Sequence, residues 1–300
     1  MIEKPVILVT SLGRTGTEFF SNFFDSILPD CTSLHEPNTF AMHTRTKNRY
    51  EEYARQIQRA GIWRMVILKT LGQWNLAKLS DLRFSGKLSH PQAAQKLLQH
   101  RADFIAKMPG SIYAEANLGY YGLLDIIPDV FKYHKEIYVI RDGRDWVRSH
   151  LNWGELYGNR GTRKIFGHQW PTARDVPGDD SYAQKWDDLT QFEKLCWAWA
   201  KLNEYALGTM DKTPHVRLFR FEEIFSGEDR YAHLDELVRF ATALPGIDPK
   251  NIRPVDGWLE RKSHQSLDGF PAWEQWTTAQ KQHFEQVCGP LMQKLGYKLD

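Results

Sequence analysis

The chain has 300 residues, 42% of them hydrophobic and 25% charged, with a formal net charge of +2. There is ample length for a large core, and no bulk electrostatic argument for nucleic acid or an acidic membrane as a partner. Three cysteines, Cys31, Cys196 and Cys288, are odd in number and far apart, which excludes a disulfide framework and a clustered cysteine metal site. With no signal-like start and no apolar run of about 20 residues, a reducing cytoplasmic setting is expected.

The first element is the most informative. Residues 5–11 (PVILVTS) form a short apolar, β-branched run that reads as a buried strand. Gly13-Arg14-Thr15-Gly16-Thr17-Glu18 follows, and then Phe19, Phe20, Phe23, Phe24, Ile27 and Leu28 fall at helical spacing. Strand, glycine turn and helix together aim backbone N–H groups and a helix N-terminus at one point, which favours an anion. The alternative is a tight β-α turn that binds nothing. Residues 31–34 suggest a second strand, with His35-Glu36-Pro37 at its end, because Pro37 keeps Glu36 out of the right-handed helical region.

A surface helix is expected over residues 47–60, a buried strand over 64–70 and a helix opened by Pro91 over 91–107. A short strand follows over 111–115, then a helix over 118–127 stopped by Pro128. Residues 136–140 read as a buried strand running into Arg141-Asp-Gly-Arg-Asp-Trp-Val-Arg-Ser149. Arg141 at the strand end and Ser149 two turns into the next helix can converge on one tetrahedral anion, the first as a planar fork and the second as a short donor. The competing expectation is a charged helix start that pairs with itself.

Residues 154–188 carry no period and read as a long functional or mobile loop. Helices are expected over 190–210, 230–243 and 277–295, with a strand over 215–219 and Gly296 as a C-terminal cap. Residues 258–263 and 270–276 form an irregular basic and aromatic segment. The eleven tryptophans are expected mainly to pack, with saccharide platforms as the second reading. Strands alternating with helices predict an α/β fold in a single domain over 1–300, with a central parallel sheet flanked by helices and a P-loop-like nucleotide-binding core.

Gly13-Arg14-Thr15-Gly16-Thr17 after a first strand resembles the 5′-phosphosulfate loop of the sulfotransferases. Arg141 with Ser149 resembles their 3′-phosphate motif, and Leu34-His35-Glu36-Pro37 resembles the acidic segment of the bacterial and carbohydrate-type branch. The Lys-Thr-His of the cytosolic small-phenol enzymes is absent; Glu115-Ala116-Asn117 stands there instead.

The resemblance implies 3′-phosphoadenosine 5′-phosphosulfate (PAPS) as donor, the bisphosphate PAP as product, no metal, and a hydroxyl or amine acceptor. A saccharide leads among acceptors, ahead of a lipid or small alcohol. Gly13, Arg14, Thr15, Gly16, Thr17 and Glu18 would hold the 5′-phosphate, Arg141 and Ser149 the 3′-phosphate, and Arg261 or Lys262 would close over it. Glu18 departs from the family's usual hydroxyl residue, so its carboxylate has to point away from the anion. Glu36 is the first choice of general base, His35 the second and Glu115 the third. Residues 154–188 would shape the acceptor site, with Arg160, Arg163, Lys164 and Arg174 suiting an acidic acceptor.

Two rival readings stand beside this one. A P-loop kinase of a small metabolite calls for a Gly-Lys-Ser/Thr ending, which is absent here. A non-catalytic nucleotide- or glycan-binding protein of the same fold predicts affinity without turnover.

Overall fold

The computed structural model describes residues 1–37, 76–154, 156–158, 170–210, 213–260 and 269–299. The helix expected over 47–60, the strand over 64–70, and Arg160, Arg163, Lys164, Arg261 and Lys262 lie outside the described residues.

Five strands form one parallel sheet in the order β2-β3-β1-β4-β5: β1 Val6–Thr10, β2 Cys31–His35, β3 Ile112–Ala116, β4 His134–Ile140 and β5 Val216–Arg220. β1 is buried at every position because it is central and covered on both faces, which is why it reads as a continuous apolar run and not an alternation. Period-two geometry divides its side chains. Ile7 and Val9 join one core with Ile137, Val139 and Phe219, whereas Val6 and Leu8 join the other with Tyr138 and Ile140.

Helix α1 (Thr17–Ile27) covers the first face with Phe19, Phe20, Phe23, Phe24 and Ile27, all buried. Phe19 stacks on Phe23 at 5.4 Å between ring centres, and Phe23 meets Trp258 edge-on at 5.5 Å. On the opposite face lie α2 (Leu76–Phe84), α3 (His90–Ala106), α4 (Gly143–Trp153), α5 (Gln191–Met210) and, late in the chain, a long helix over Thr278–Lys294. Before that helix, α6 (Phe221–Phe225) and α7 (Arg230–Ala241) return to the first face; the Thr278–Lys294 helix is α8. The connection after β1 thus leaves on one face and the connection after β4 on the other. Two neighbouring strands whose exits diverge open a crevice at their C-terminal ends.

Three expectations are corrected. Residues 118–127 are not one helix: a 3₁₀ turn spans Leu118–Tyr120, and the next helix is Ile127–Val130. Pro128 sits in the first turn of that short helix, so it opens an element where it was expected to close one. Asn117 caps the 3₁₀ turn through Gly119 N–H at 2.8 Å. The turn then presses Gly119 and Gly122 against the α2 backbone, where an added Cβ would come within 2.8 Å of Ala77 N and Ser80 O.

Within 154–188, the described residues include a 3₁₀ turn at Ala173–Asp175 and a short helix at Asp180–Lys185. The helix α2 had no counterpart in the sequence reading. The tryptophans do pack: Trp146, Trp197 and Trp199 are fully buried, and Trp186, Trp258 and Trp276 nearly so. Among the described residues no helix is long and apolar enough to cross a membrane.

Candidate functional site

The loop between β1 and α1 is held in left-handed backbone conformations. Gly13, Arg14 and Gly16 have φ of 80°, 59° and 77°. For Arg14, the one residue with a Cβ, this is a strained state, costing about 1–3 kcal/mol. Gly16 is doubly required: a Cβ there would also meet the Phe225 ring at 3.1 Å. Inside the loop, Ser11 Oγ accepts from Gly13 N–H (3.0 Å) and from the Thr15 hydroxyl (2.5 Å). From α4, the buried Trp146 indole N–H donates to the carbonyls of Leu12 (3.3 Å) and Gly13 (3.1 Å). These bonds tie down the loop's carbonyls, and no side chain at the N-cap, Gly16, caps the start of α1; an uncapped helix start after a glycine turn favours an anion. Glu18, in the first turn of α1, is exposed.

The second strand-helix junction meets the first. Arg14 Nε donates to Ser149 Oγ at 2.9 Å, and Arg141 donates through Nη1 to the Arg14 carbonyl at 2.9 Å. The charged run after β4 divides between the two behaviours its sequence allowed. Arg144 pairs with Asp142 (2.7 Å), which caps α4 through Arg144 N–H. Arg141 turns away from both acids, and its guanidinium lies over the Phe221 ring at 4.6 Å. Its Nε is buried without a hydrogen-bond partner among the described residues. Arg14 lies 5.8 Å from the Trp153 ring centre. Burial, and then the like charge of Arg141, lower the pKa of Arg14. An arginine still carries its charge there, so two cations share one end of the sheet. Among the described residues no carboxylate is within ion-pair distance of either.

β2 ends at His35, beside the start of α1. His35 Nε2 is 3.0 Å from Thr17 Oγ1 and 4.0 Å from Glu36 Oε1. Glu36 has φ of 38°, and its N–H donates to the Ala116 carbonyl at 2.9 Å. A non-glycine residue in that region, followed by proline, is held there by its surroundings and marks a candidate functional position. The strand ends thus bring Glu36, His35 and the loop to one edge.

Glu115 is given a different task from the one weighed for it. Its side chain is fully buried, and its oxygens accept from Arg101 (2.6 Å), Tyr113 (2.7 Å), Asn117 (2.7 Å) and Tyr120 (3.1 Å). Such a carboxylate is spoken for by the core and is unsuited to receive a substrate's proton. Arg174 likewise pairs with Asp187 at 2.6 Å, so its fork is engaged.

Several supporting residues had escaped the sequence reading. Glu222 receives Asp142 N–H (2.9 Å) and the Tyr297 hydroxyl (3.0 Å), and burial raises its pKa. Phe221 underlies Arg141, and Trp199 N–H donates to the Arg141 carbonyl at 3.1 Å. Phe221 and Glu222 directly follow β5, as Arg141 follows β4; that position after a strand was the available signal. Among the described residues no group of three or more His, Cys, Asp or Glu is placed to hold a metal ion.

No protein-family model matches the chain, and no curated protein matches it. Among solved structures, it is similar to the sulfotransferase domain from the curacin biosynthetic pathway, with 13% sequence identity and a TM-score of 0.49 over 100% of both chains. At that identity and score, the function has to be read from the residues themselves.

Proposed function

We propose that the chain is a PAPS-dependent sulfotransferase, with residues 1–300 acting as one domain in a cytoplasmic setting. The observation that carries this reading is the convergence of Arg14, Arg141 and Ser149, brought from two strand ends to one place at the crevice between β1 and β4. The buried Arg141 Nε, without a hydrogen-bond partner among the described residues, fits an anionic group, because a buried donor left unpaired costs about 1–3 kcal/mol. A glycine loop that carries Arg14 and, at the neighbouring junction, Arg141 with a serine hydroxyl suit a ligand with two separate phosphates.

In this reading Gly13, Arg14, Thr15, Gly16, Thr17 and the amide of Glu18 hold the 5′-phosphate. Arg141 and Ser149 hold the 3′-phosphate, with Arg261 or Lys262 closing on it. The donor, when bound, supplies an already activated sulfuryl group. The protein's work is then positioning and charge stabilisation. Arg14 faces the charge that grows on the leaving phosphate. Glu36, held at its strained turn, takes the proton of the acceptor hydroxyl or amine. A saccharide acceptor leads, with a lipid or small alcohol behind it.

Calorimetric titration with 3′,5′-adenosine bisphosphate, with magnesium-ATP as control, tests the reading. Tight binding of the bisphosphate alone is the expected result. Binding of ATP alone would overturn the donor assignment in favour of kinase chemistry.

A further inference from the structure

Thr17, His35 and Glu36 form a chain of contacts that links the donor loop to the proposed base through His35. Thr17 opens α1 and belongs to the donor loop, whereas His35 and Glu36 close β2. One ring nitrogen, His35 Nε2, stands between them, 3.0 Å from the Thr17 hydroxyl and 4.0 Å from the Glu36 carboxylate. A threonine hydroxyl has one proton and can give it to one acceptor at a time. In the neutral tautomer that carries its proton on Nδ1, Nε2 holds the ring's one free lone pair, so it cannot both accept from Thr17 and take a proton from Glu36.

We propose that His35 is a positioning residue that makes the discharge of Glu36 depend on occupancy of the donor loop. The inference rests on the donor reading above. With an anion in the loop, the Thr17 hydroxyl turns its proton to that anion, and the Nε2 lone pair is released. The acceptor oxygen bonds to the sulfuryl sulfur as the bond from that sulfur to the 5′-phosphate oxygen breaks; the bisphosphate leaves with that electron pair, and the acceptor's proton passes to Glu36. The proton then moves from the Glu36 carboxyl to Nε2 through one water, since 4.0 Å is beyond direct hydrogen-bond reach, and from the ring out to solvent; no other reactant is needed. Exposure runs in the required direction: the Glu36 side chain is 14% exposed and the His35 side chain 37%. With an empty loop, Thr17 keeps Nε2 engaged, and a proton on Glu36 has no onward path through His35. Base and donor site are thereby coupled through one hydrogen bond that has two mutually exclusive arrangements.

The test is the ¹⁵N spectrum of the histidine rings in the full chain, titrated with 3′,5′-adenosine bisphosphate. The His35 signals are assigned by their loss in His35→Gln. Movement of the His35 Nε2 signal on saturation is expected in the wild-type protein. In Thr17→Val the signal should start displaced and move little on saturation, because the competing hydroxyl is gone. Kinetics supply a second readout. Glutamine can keep a hydrogen bond to Thr17 but cannot carry a proton, so His35→Gln should lower kcat about 10-fold or more while leaving the donor KM within about twofold. Bisphosphate binding with an unmoved His35 signal, or a wild-type kcat in His35→Gln, overturns this inference and leaves the donor reading standing. Failure of the bisphosphate to bind overturns the donor reading, and this inference with it.

Discussion

Arg101 and Arg14 both take a guanidinium out of bulk water, Arg101 wholly and Arg14 in part, and the protein treats them in opposite ways. Burial alone would lower the pKa of Arg101, but the Glu115 carboxylate at 2.6 Å, with two tyrosines, carries it above its ordinary value. Among the described residues Arg14 has no such acid; burial and its neighbour Arg141 both lower its pKa. One site is neutralised from within the chain. The other concentrates charge of one sign at the C-terminal end of the central strands, with no balancing carboxylate among the described residues. Burial of an arginine is therefore a poor guide to its role until its counter-ion is identified.

The comparison can be broken most severely at the neutralised site. Glu115→Ala strands Arg101 in the core and should cost about 3–5 kcal/mol in denaturant unfolding. Replacement of both by apolar residues of similar volume should recover most of that loss. At the open site the separation should reverse. Arg141→Ala should leave the unfolding midpoint nearly unchanged and weaken 3′,5′-adenosine bisphosphate binding by about 1.5–3 kcal/mol. A large stability loss with unaltered binding would erase the distinction between the two arginines.

Glu36 sharpens the contrast between a structural acid and the proposed base. Glu36→Gln should keep donor affinity and slow transfer by about 10²-fold or more. Glu36→Gly should also lose transfer and yet hold or raise stability, since glycine accepts φ of 38° without the strain of about 1–3 kcal/mol. Unchanged turnover in Glu36→Gln would move the base elsewhere.

A third ionisable site, at the opposite end of β4, yields the smallest effect. His134 and Glu136 approach to 3.5 Å inside the protein. Burial, with help from His215, pushes the His134 pKa down to about 4, and burial raises that of Glu136. For His134, the unfolded chain binds the proton from about pH 6.5 downward and the folded protein only near 4. Its contribution to stability therefore falls as pH drops through that window. Glu136 acts in the other direction: the folded protein keeps its proton above the ordinary carboxylate value, so stability falls as pH rises past it. His134→Phe should flatten the pH dependence of the unfolding midpoint between about 6.5 and 4, and Glu136→Gln should raise stability at neutral pH.

The central strands β1 and β4, and α1 with its phenylalanine face, were legible because burial on both faces writes a continuous apolar run and α-helical packing writes a 3.6-residue period. The loop and the Arg141–Ser149 pair were legible as types of residue at strand ends. Their meeting was not, since it is the sheet order that places β1 beside β4. Glu115 was misjudged because a carboxylate on a strand looks the same in sequence whether it faces solvent or Arg101. Residues 118–127 failed for a similar reason: Gly119 and Gly122 serve a close approach to α2, an element absent from the reading. Trp146 looked like ordinary core, and only its N–H bonds to the loop carbonyls give it a second task.

The contact between Arg14 and Ser149 joins residues 135 positions apart. Long-range pairings in a parallel sheet form slowly, because chain entropy is lost before the contact repays it. The two strand-helix junctions are therefore expected to meet late in folding, after most of the sheet has assembled. A ligand that bridges them at 100 times its Kd adds about 2.7 kcal/mol to the native state. Interactions formed after the rate-limiting barrier slow unfolding and leave the folding rate alone. Bisphosphate should therefore lengthen the lifetime of the folded chain without hastening its formation.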